Sequence, residues 1–342
     1  TDTTITGWET SLTSSLERDE RIALDFTSPD GLGTVEARSV LLATGVRERP
    51  RAARLVPGYR PQGVFTTGSL QRFVYEHRLP VGKRAVIVGA EQVSLSVVLT
   101  LMHAGVKVLN LITELPRHQF YLPLFLPAKI LYADLLARSP VLTNSRVSNI
   151  FGRQRVEGIE VTDLASGRTR TIECDTVIFT GDWIPENELA RRGNVRTEKP
   201  SLGPQVDSLY RTSRAAVFAA GNLLRGVETA DWAALEGRAA ARSVARYLEN
   251  PTWNGSRLEV HCEPPLAWIC PNILSPDAGV NGFRFRSSEF RQNAQLQLTQ
   301  GGRVLYHRKS GRLKANTSLA LSGEWIEKVD FSGEPVKLVV QP

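Results

Sequence analysis

Gly89, Glu91, Ser94 and Glu114 are the residues of this chain whose types and spacing come nearest to a recognisable chemistry. A Gly-x-Gly-x-x-Gly/Ala turn between a strand and a helix holds a dinucleotide. Its backbone N–H groups and the helix N-terminus face the pyrophosphate, and an acid closing the next strand takes a ribose hydroxyl. Here the pattern reads Gly89-x-Glu91-x-x-Ser94, followed by Glu114. The first glycine, which makes the tight turn, is present, and Ser94 is small enough for close helix–strand packing. At the second position, where backbone must approach phosphate, Glu91 adds bulk and a negative charge. The spacing therefore speaks more strongly for a dinucleotide-type fold than for its ligand. Glu114 suits the ribose of NAD and nearby Arg117 would suit the 2′-phosphate of NADP, so the residues leave both open.

The elements that must position these residues are legible around them. Ala85-Val86-Ile87-Val88 is an apolar run of the kind buried on both faces of a parallel sheet. Gln92 to His103 carries Val93, Val97 and Leu101 at helical spacing, Ala104-Gly105 ends it, and Val106 to Thr113 makes the second strand. Strand, glycine turn, helix, strand and acid make one βαβ unit.

Two further strands end alike. Ser39 to Thr44 runs into Gly45, and Asp175 to Thr180 runs into Gly181. Each closes a stretch of alternating segments: Trp8 to Leu16, Arg21 to Phe26 and Thr34 to Thr44 before the first, then Ser145 to Ile150, Arg155 to Asp163 and Thr169 to Cys174 before the second. Such a repeat is what two homologous domains, one inserted in the other, leave in a sequence. A short helix is expected over Leu70 to His77 and an amphipathic one over Ile130 to Arg138. Asn187 to Arg192 reads as another short helix. Ala216 to Ala220 is a strand ending in Gly221-Asn222, and an alanine-rich helix opens near Thr229 and Ala230 and stops at Asn250-Pro251.

The chain has 342 residues, 42% of them apolar, enough for two or three domains with cores of their own. Its net charge of +7 is spread over arginines interleaved with acids, as on a solvated surface, and no nucleic-acid motif accompanies it. No apolar run is long and uncharged enough to span a membrane. The three cysteines make no C-x-x-C pair, which argues against a flavin-linked dithiol and suits a reducing, cytoplasmic setting. Cys262 and Cys270 lack the further ligands a metal or iron–sulfur site needs, so no metal site is assigned.

LLATGVRERP, FTTGSLQ, the GAEQVS turn, ELPRHQ and VFAAGN together resemble the FAD/NAD(P) oxidoreductases with two dinucleotide domains, built like glutathione reductase. Within them the wording is similar to the flavoprotein subunits of opine oxidase, hydrogen cyanide synthase and the sarcosine oxidase alpha chain. The resemblance covers about residues 20 to 250. It implies an α/β fold in which a Rossmann-like NAD(P)-type domain (81–181) is inserted in an FAD-type domain (1–80 and 182–252). FAD would be held by Thr44, Gly45, Gly221, Asn222, Thr229 and Ala230. In the wider family an aspartate follows the glycine of the last strand, and in the resembling branch asparagine stands there. The N-terminus of the next helix would face the flavin ring, where its dipole stabilises the anion of the reduced ring.

The first βαβ unit of such an FAD domain is not found before residue 39, so this domain reads as incomplete and the chain as a fragment or truncated product. From residue 253 to 342 the texture changes to short strands with a Gly301-Gly302 turn, a small all-β module; Trp325 to Val329 and Val336 to Val340 are among its expected strands. No catalytic acid or base can be named, and neither His103 nor His118 is singled out. The resemblance implies oxidation of an amine or amino-acid-like substrate, with electrons passed to a partner subunit or a quinone-like acceptor. Two other readings stay open: a non-catalytic scaffold subunit that kept the fold, and an NAD(P)H-dependent flavin reductase.

Overall fold

The computed structural model describes residues 2–8, 21–120, 139–253, 256–278 and 282–341. The expected helix over Ile130 to Arg138 lies outside them. The chain forms two compact units, a central one over Glu48–Trp183 and a terminal one made of Thr1–Arg47 and Ile184–Pro342.

The central unit is built on a five-stranded parallel sheet in the order Val64–Thr66, Thr176–Phe179, Arg84–Val88, Lys107–Ile112, Val141–Leu142. Ala85, Val86 and Ile87 are wholly buried, as a strand covered on both faces requires. The crossover helix Gln92–His103 buries Leu95, Val97, Val98 and Leu101 against the sheet. It stops because Gly105 turns left-handed (φ 70°). The N–H of Gly105 then bonds Met102 O and that of Val106 bonds Leu101 O, which satisfies the last carbonyls. An antiparallel meander, Ser145–Phe151, Gly158–Asp163 and Thr169–Ile172, precedes the strand that ends at Thr180-Gly181. The short helix begins three residues before the expected one, at Thr67–Gln71, and continues as a π-helical turn over Arg72–Glu76. Its start is fixed by Glu48, whose carboxylate accepts the N–H groups of Thr67 and Gly68 at 2.9 and 2.7 Å.

In the terminal unit the first meander is Thr4–Trp8, Ile22–Ser28 and Gly31–Ala37. Of the expected strand from Trp8 to Leu16 only Trp8 is among the described residues, and it ends a strand rather than beginning one. The stretch Thr34 to Thr44 is not continuous either. It breaks at Arg38-Ser39, and Val40–Leu42 pairs in parallel with Val217–Ala219. The helix Ala230–Glu249 follows.

The C-terminal residues form two sheets, one of five strands (Ile273–Leu274, Leu258–Cys262, Val336–Gln341, Arg291–Gln300, Arg303–Leu313) and one of three (Leu266–Cys270, Phe283–Ser287, Ser318–Leu321). Both contribute to a single apolar cluster around Phe283, Phe285, Leu296, Leu338 and Trp325, so the module is a sandwich. Gly301 and Gly302, both at positive φ, make the hairpin turn. Trp325 to Val329 is not a strand. Its apolar residues 325, 326 and 329 follow helical rather than alternating spacing, and Glu324–Lys328 closes as a 3-10 turn with Trp325 buried.

Candidate functional site

Two strand-to-helix junctions carry all the sequence-derived candidates but Glu114, and each lies within one unit. In the central unit Gly89, Glu91 and Ser94 stand at the carboxyl end of the parallel sheet, next to Thr180-Gly181. Gly89 needs its freedom: its φ is 143°, and a Cβ there would collide with Thr180 Oγ1. Ser94 is fully buried, and its hydroxyl lies 2.8 Å from that of Thr180.

Glu91 does not point to solvent. It is the N-cap of the helix and forms a reciprocal capping box with Ser94, taking the Ser94 N–H on its side chain while Ser94 Oγ takes the Glu91 N–H at 3.3 Å. The carboxylate packs on both glycines. A Cβ added at Gly89 would lie 2.8 Å from Oε2, and one at Gly181 would lie 3.1 Å from Oε1. Oε1 is buried and has no hydrogen-bond partner. Burial pushes the carboxyl above the ordinary carboxylate range, opposed by the Thr180 hydroxyl, the helix-start donors and the nearby Arg54 guanidinium. Arg54 itself bonds the carbonyls of Thr180 and Gly181 at 3.0 and 2.7 Å.

A carboxylate thus stands at the helix N-terminus in the position where a dinucleotide's pyrophosphate would come. As it stands, the turn does not fit NAD(P): the buried, unpartnered Oε1 would meet a second negative charge. Glu114 lies elsewhere, at the end of the next strand, half-exposed and held by Arg146 through two bonds of 2.8 and 2.7 Å.

The second junction is in the terminal unit. Strands Val40–Leu42 and Val217–Ala219 run parallel in register, so Thr44-Gly45 and Gly221-Asn222 leave the sheet at the same carboxyl edge. Gly45 and Gly221 are both left-handed (φ 73° and 76°), and among the described residues nothing stands within 4 Å of where a Cβ would be at either. Thr44 Oγ1 donates to Glu186 O at 2.6 Å, which ties this strand end down. Asn222 Oδ1 accepts the N–H of Glu228 at 3.1 Å. With its oxygen committed, the side-chain amide has only N–H groups to offer outward, which suits a phosphate or carbonyl oxygen. Thr229 is the N-cap of the long helix but makes no side-chain cap, and Thr229 and Ala230 are exposed. The residues at this edge fit FAD: two open glycines, an amide donor and a helix start without a Thr229 side-chain cap, where the exposed Asp231 carboxylate accepts the N–H groups of Asp231 and Trp232. Thr44, Gly45, Gly221 and Asn222 would hold it, with Thr229 and Ala230 at the helix start.

The geometry adds residues that the sequence did not single out. Glu228 immediately precedes that N-cap, yet its carboxylate is drawn away from the helix. Arg286 donates to it at 3.2 Å, the Ser318 hydroxyl donates to it, and Arg225 lies 3.6 Å off. Arg225 is 1% exposed, pairs with Glu236 and donates to Cys270 Sγ at 3.4 Å. Burial pushes the Cys270 thiol up to about 12, despite Arg225 beside it, so it stays protonated and unreactive. Arg286 comes from the sandwich, 58 residues from Glu228, which is why spacing gave no sign of the pairing. Among the described residues no cluster of three or more His, Cys, Asp or Glu side chains is placed to hold a metal ion, and no helix is long and apolar enough to cross a membrane.

The chain is similar to an opine oxidase subunit of Rhizobium meliloti, 27% identical over 248 residues that cover 66% of this chain and 46% of its relative. Thioredoxin reductase of Treponema pallidum is 26% identical over 232 residues, covering 66% of this chain and 69% of the reductase. The chain therefore spans about half the length of the opine oxidase relative. Among solved structures the fold is that of T. acidophilum thioredoxin reductase, with a TM-score of 0.54 at 23% identity over 67% of this chain and 70% of that one. The NAD-dependent persulfide reductase of A. fulgidus matches 87% of this chain and 53% of its own, with a TM-score of 0.55 at 16% identity. A family model, pyridine nucleotide-disulphide oxidoreductase, matches residues 6–237. With that match spanning more than half of its length, the chain belongs to the pyridine nucleotide-disulphide oxidoreductase family of FAD-binding, NAD(P)H-using oxidoreductases.

Proposed function

We propose that this chain is the body of an FAD-dependent oxidoreductase that oxidises the C–N bond of an amine or amino-acid-like substrate. Its electrons leave through a partner subunit or a quinone-like acceptor rather than through NAD(P). The observation that carries this reading is the Glu91 carboxylate seated at the helix N-terminus of the central unit, where an incoming pyrophosphate would need the same N–H groups. The open junction of the terminal unit supports the flavin half. The similarity to an opine oxidase component supports both the substrate class and a companion subunit.

Bound FAD would supply the two-electron acceptor for this chemistry. The chain's own residues do the rest. Thr44 ties down the first strand end, Gly45 and Gly221 let backbone approach the cofactor, and Asn222 offers N–H donors. The long helix turns its N-terminus toward developing negative charge. Arg225 and Arg286 keep Glu228 off that N-terminus. In domain terms, 81–181 is proposed as the inserted NAD(P)-type domain, 1–80 with 182–252 as the FAD-type domain, and 253–342 as the β module.

The test is anaerobic. The FAD-loaded protein is mixed in separate arms with a panel of N-substituted amino acids and with NADH or NADPH, and flavin absorbance is followed. Bleaching by an amine substrate and not by the nicotinamides is the expected result. Bleaching by NADH or NADPH alone would replace this reading with a flavin reductase, and failure to take up FAD would leave a scaffold protein.

A further inference from the structure

Between the long helix Ala230–Glu249 and the sandwich, within the terminal unit, lies a cleft of about 460 Å³. Its composition is unbalanced. Arg242, Arg246 and Arg284 line it, and none of the three has a side-chain hydrogen bond or ion pair to a carboxylate among the described residues. The acids nearby are spoken for. Glu236, on the cleft wall, is paired with Arg225, and Glu228 is held by Arg286 and Ser318. Asp231 is exposed at the helix start and acts on Arg284 only at a distance.

Unpaired arginines on an open surface would mean little. Arg284 is different, because it is half-buried and sits over the Trp232 ring with its Cζ 3.3 Å from the centroid. At that distance the ring occupies one face of the guanidinium, and its N–H groups carry no side-chain partner among the described residues. Burial lowers the pKa of this guanidinium, opposed only at a distance by Glu228, Glu236 and Asp231. Arg242 and Arg246 stand one helical turn apart on the same face of the helix. Tyr210 adds a hydroxyl with no hydrogen bond among the described residues, kept protonated by burial. Leu235, Phe283 and Leu321 supply an apolar wall.

We propose that this cleft binds a small organic anion carrying two acidic groups on an apolar body. One acidic group is taken by the edge of Arg284 and the other by Arg242 and Arg246, while the body lies against Leu235, Phe283 and Leu321. Charge-assisted bonds to arginine fit carboxylate and phosphate alike, so the shared chemistry is a dianion. The site does not rest on the flavin reading, because its test measures binding and not turnover.

The experiment titrates phthalate, 2-carboxyphenyl phosphate, benzoate and neutral phthalamide into the full chain, read by tryptophan fluorescence and calorimetry. Saturable binding of a dianion is expected, with benzoate weaker by roughly tenfold and phthalamide weaker still. A preference for phthalate assigns a dicarboxylate ligand, and one for 2-carboxyphenyl phosphate assigns a phosphate ester that also carries a carboxylate. Arg284→Gln and Arg246→Gln should each weaken the dianion by roughly tenfold. Because Arg246 is exposed, its variant should unfold at the same temperature as the parent, which separates lost binding from lost folding. No saturable binding of either dianion would overturn the proposal, as would affinity unchanged in both variants.

Discussion

The two Thr-Gly strand endings share a backbone and differ in what faces them. Gly45 and Gly181 are both left-handed, at φ 73° and 65°, and each closes a parallel strand. In front of Gly45 there is open space among the described residues, whereas in front of Gly181 stands the Glu91 carboxylate. The acids beside the two helix starts behave in opposite ways. Glu91 caps its own helix, whereas Glu228 is pulled aside by Arg286, Ser318 and Arg225. One junction is filled from within by a buried carboxylate; at the other Glu228 is held aside and the exposed Asp231 meets the helix-start N–H groups. A helix N-terminus attracts an anion wherever it is accessible, and the chain decides which anion arrives by where it sends its own carboxylates.

The comparison breaks most severely at Arg225. Arg225→Met strands the nearly buried Glu236 without its partner and leaves Glu228 to Arg286 and Ser318 alone. It should cost about 3–5 kcal/mol in urea unfolding. A loss no larger than a surface substitution gives would mean that this network does not hold Glu228 aside.

Next come the two glycines. Gly45→Ala and Gly181→Ala impose the same left-handed strain, roughly 1–2 kcal/mol each. Only the alanine at 181 also presses on Glu91, at 3.1 Å. Gly181→Ala should therefore be the less stable of the two by about 1 kcal/mol or more, while Gly45→Ala should be the one that weakens FAD uptake. Equal unfolding midpoints and equal flavin binding would erase the distinction.

Glu91→Gly removes the cap and the charge together. Stability should fall by about 1 kcal/mol, and saturable NADH or NADPH binding should appear where the parent shows little. Unchanged binding would show that the site is lost for reasons beyond one carboxylate.

The smallest effect is Glu91→Gln, and its signature is pH. A carboxyl with a raised folded pKa favours the fold fully when protonated, below the ordinary carboxylate value. That contribution is lost as pH rises through the raised value. Glutamine cannot ionise, so the variant should match the parent below about pH 4 and unfold at a higher temperature above it. A difference that does not vary with pH would mean that the carboxyl is not desolvated.

Much of this was legible in the order of residues alone. Ala85 to Val88 had to be buried, Gly105 had to stop the helix and Gly301-Gly302 had to turn a hairpin, because each depends on neighbours in sequence. Trp325 to Val329 went wrong as a strand because a short apolar run fits more than one period. Thr34 to Thr44 hid a break at Arg38-Ser39 because both halves alternate. Arg225, Arg284 and Arg286 gave no signal at all. Their partners are remote in sequence, and isolated arginines look alike whether solvated or buried.

By itself, then, the sequence determined the βαβ unit around Gly89, the repeated Thr-Gly endings and the family. The first two follow from local periodicity and turn chemistry, and the family from the resemblance that its short motifs carry. Only the tertiary structure decided that Glu91 folds back onto Gly89 and Gly181 while Glu228 turns toward the sandwich. A side chain's direction is set by the charges and cavities that distant segments bring to it, and those do not exist until the chain has folded.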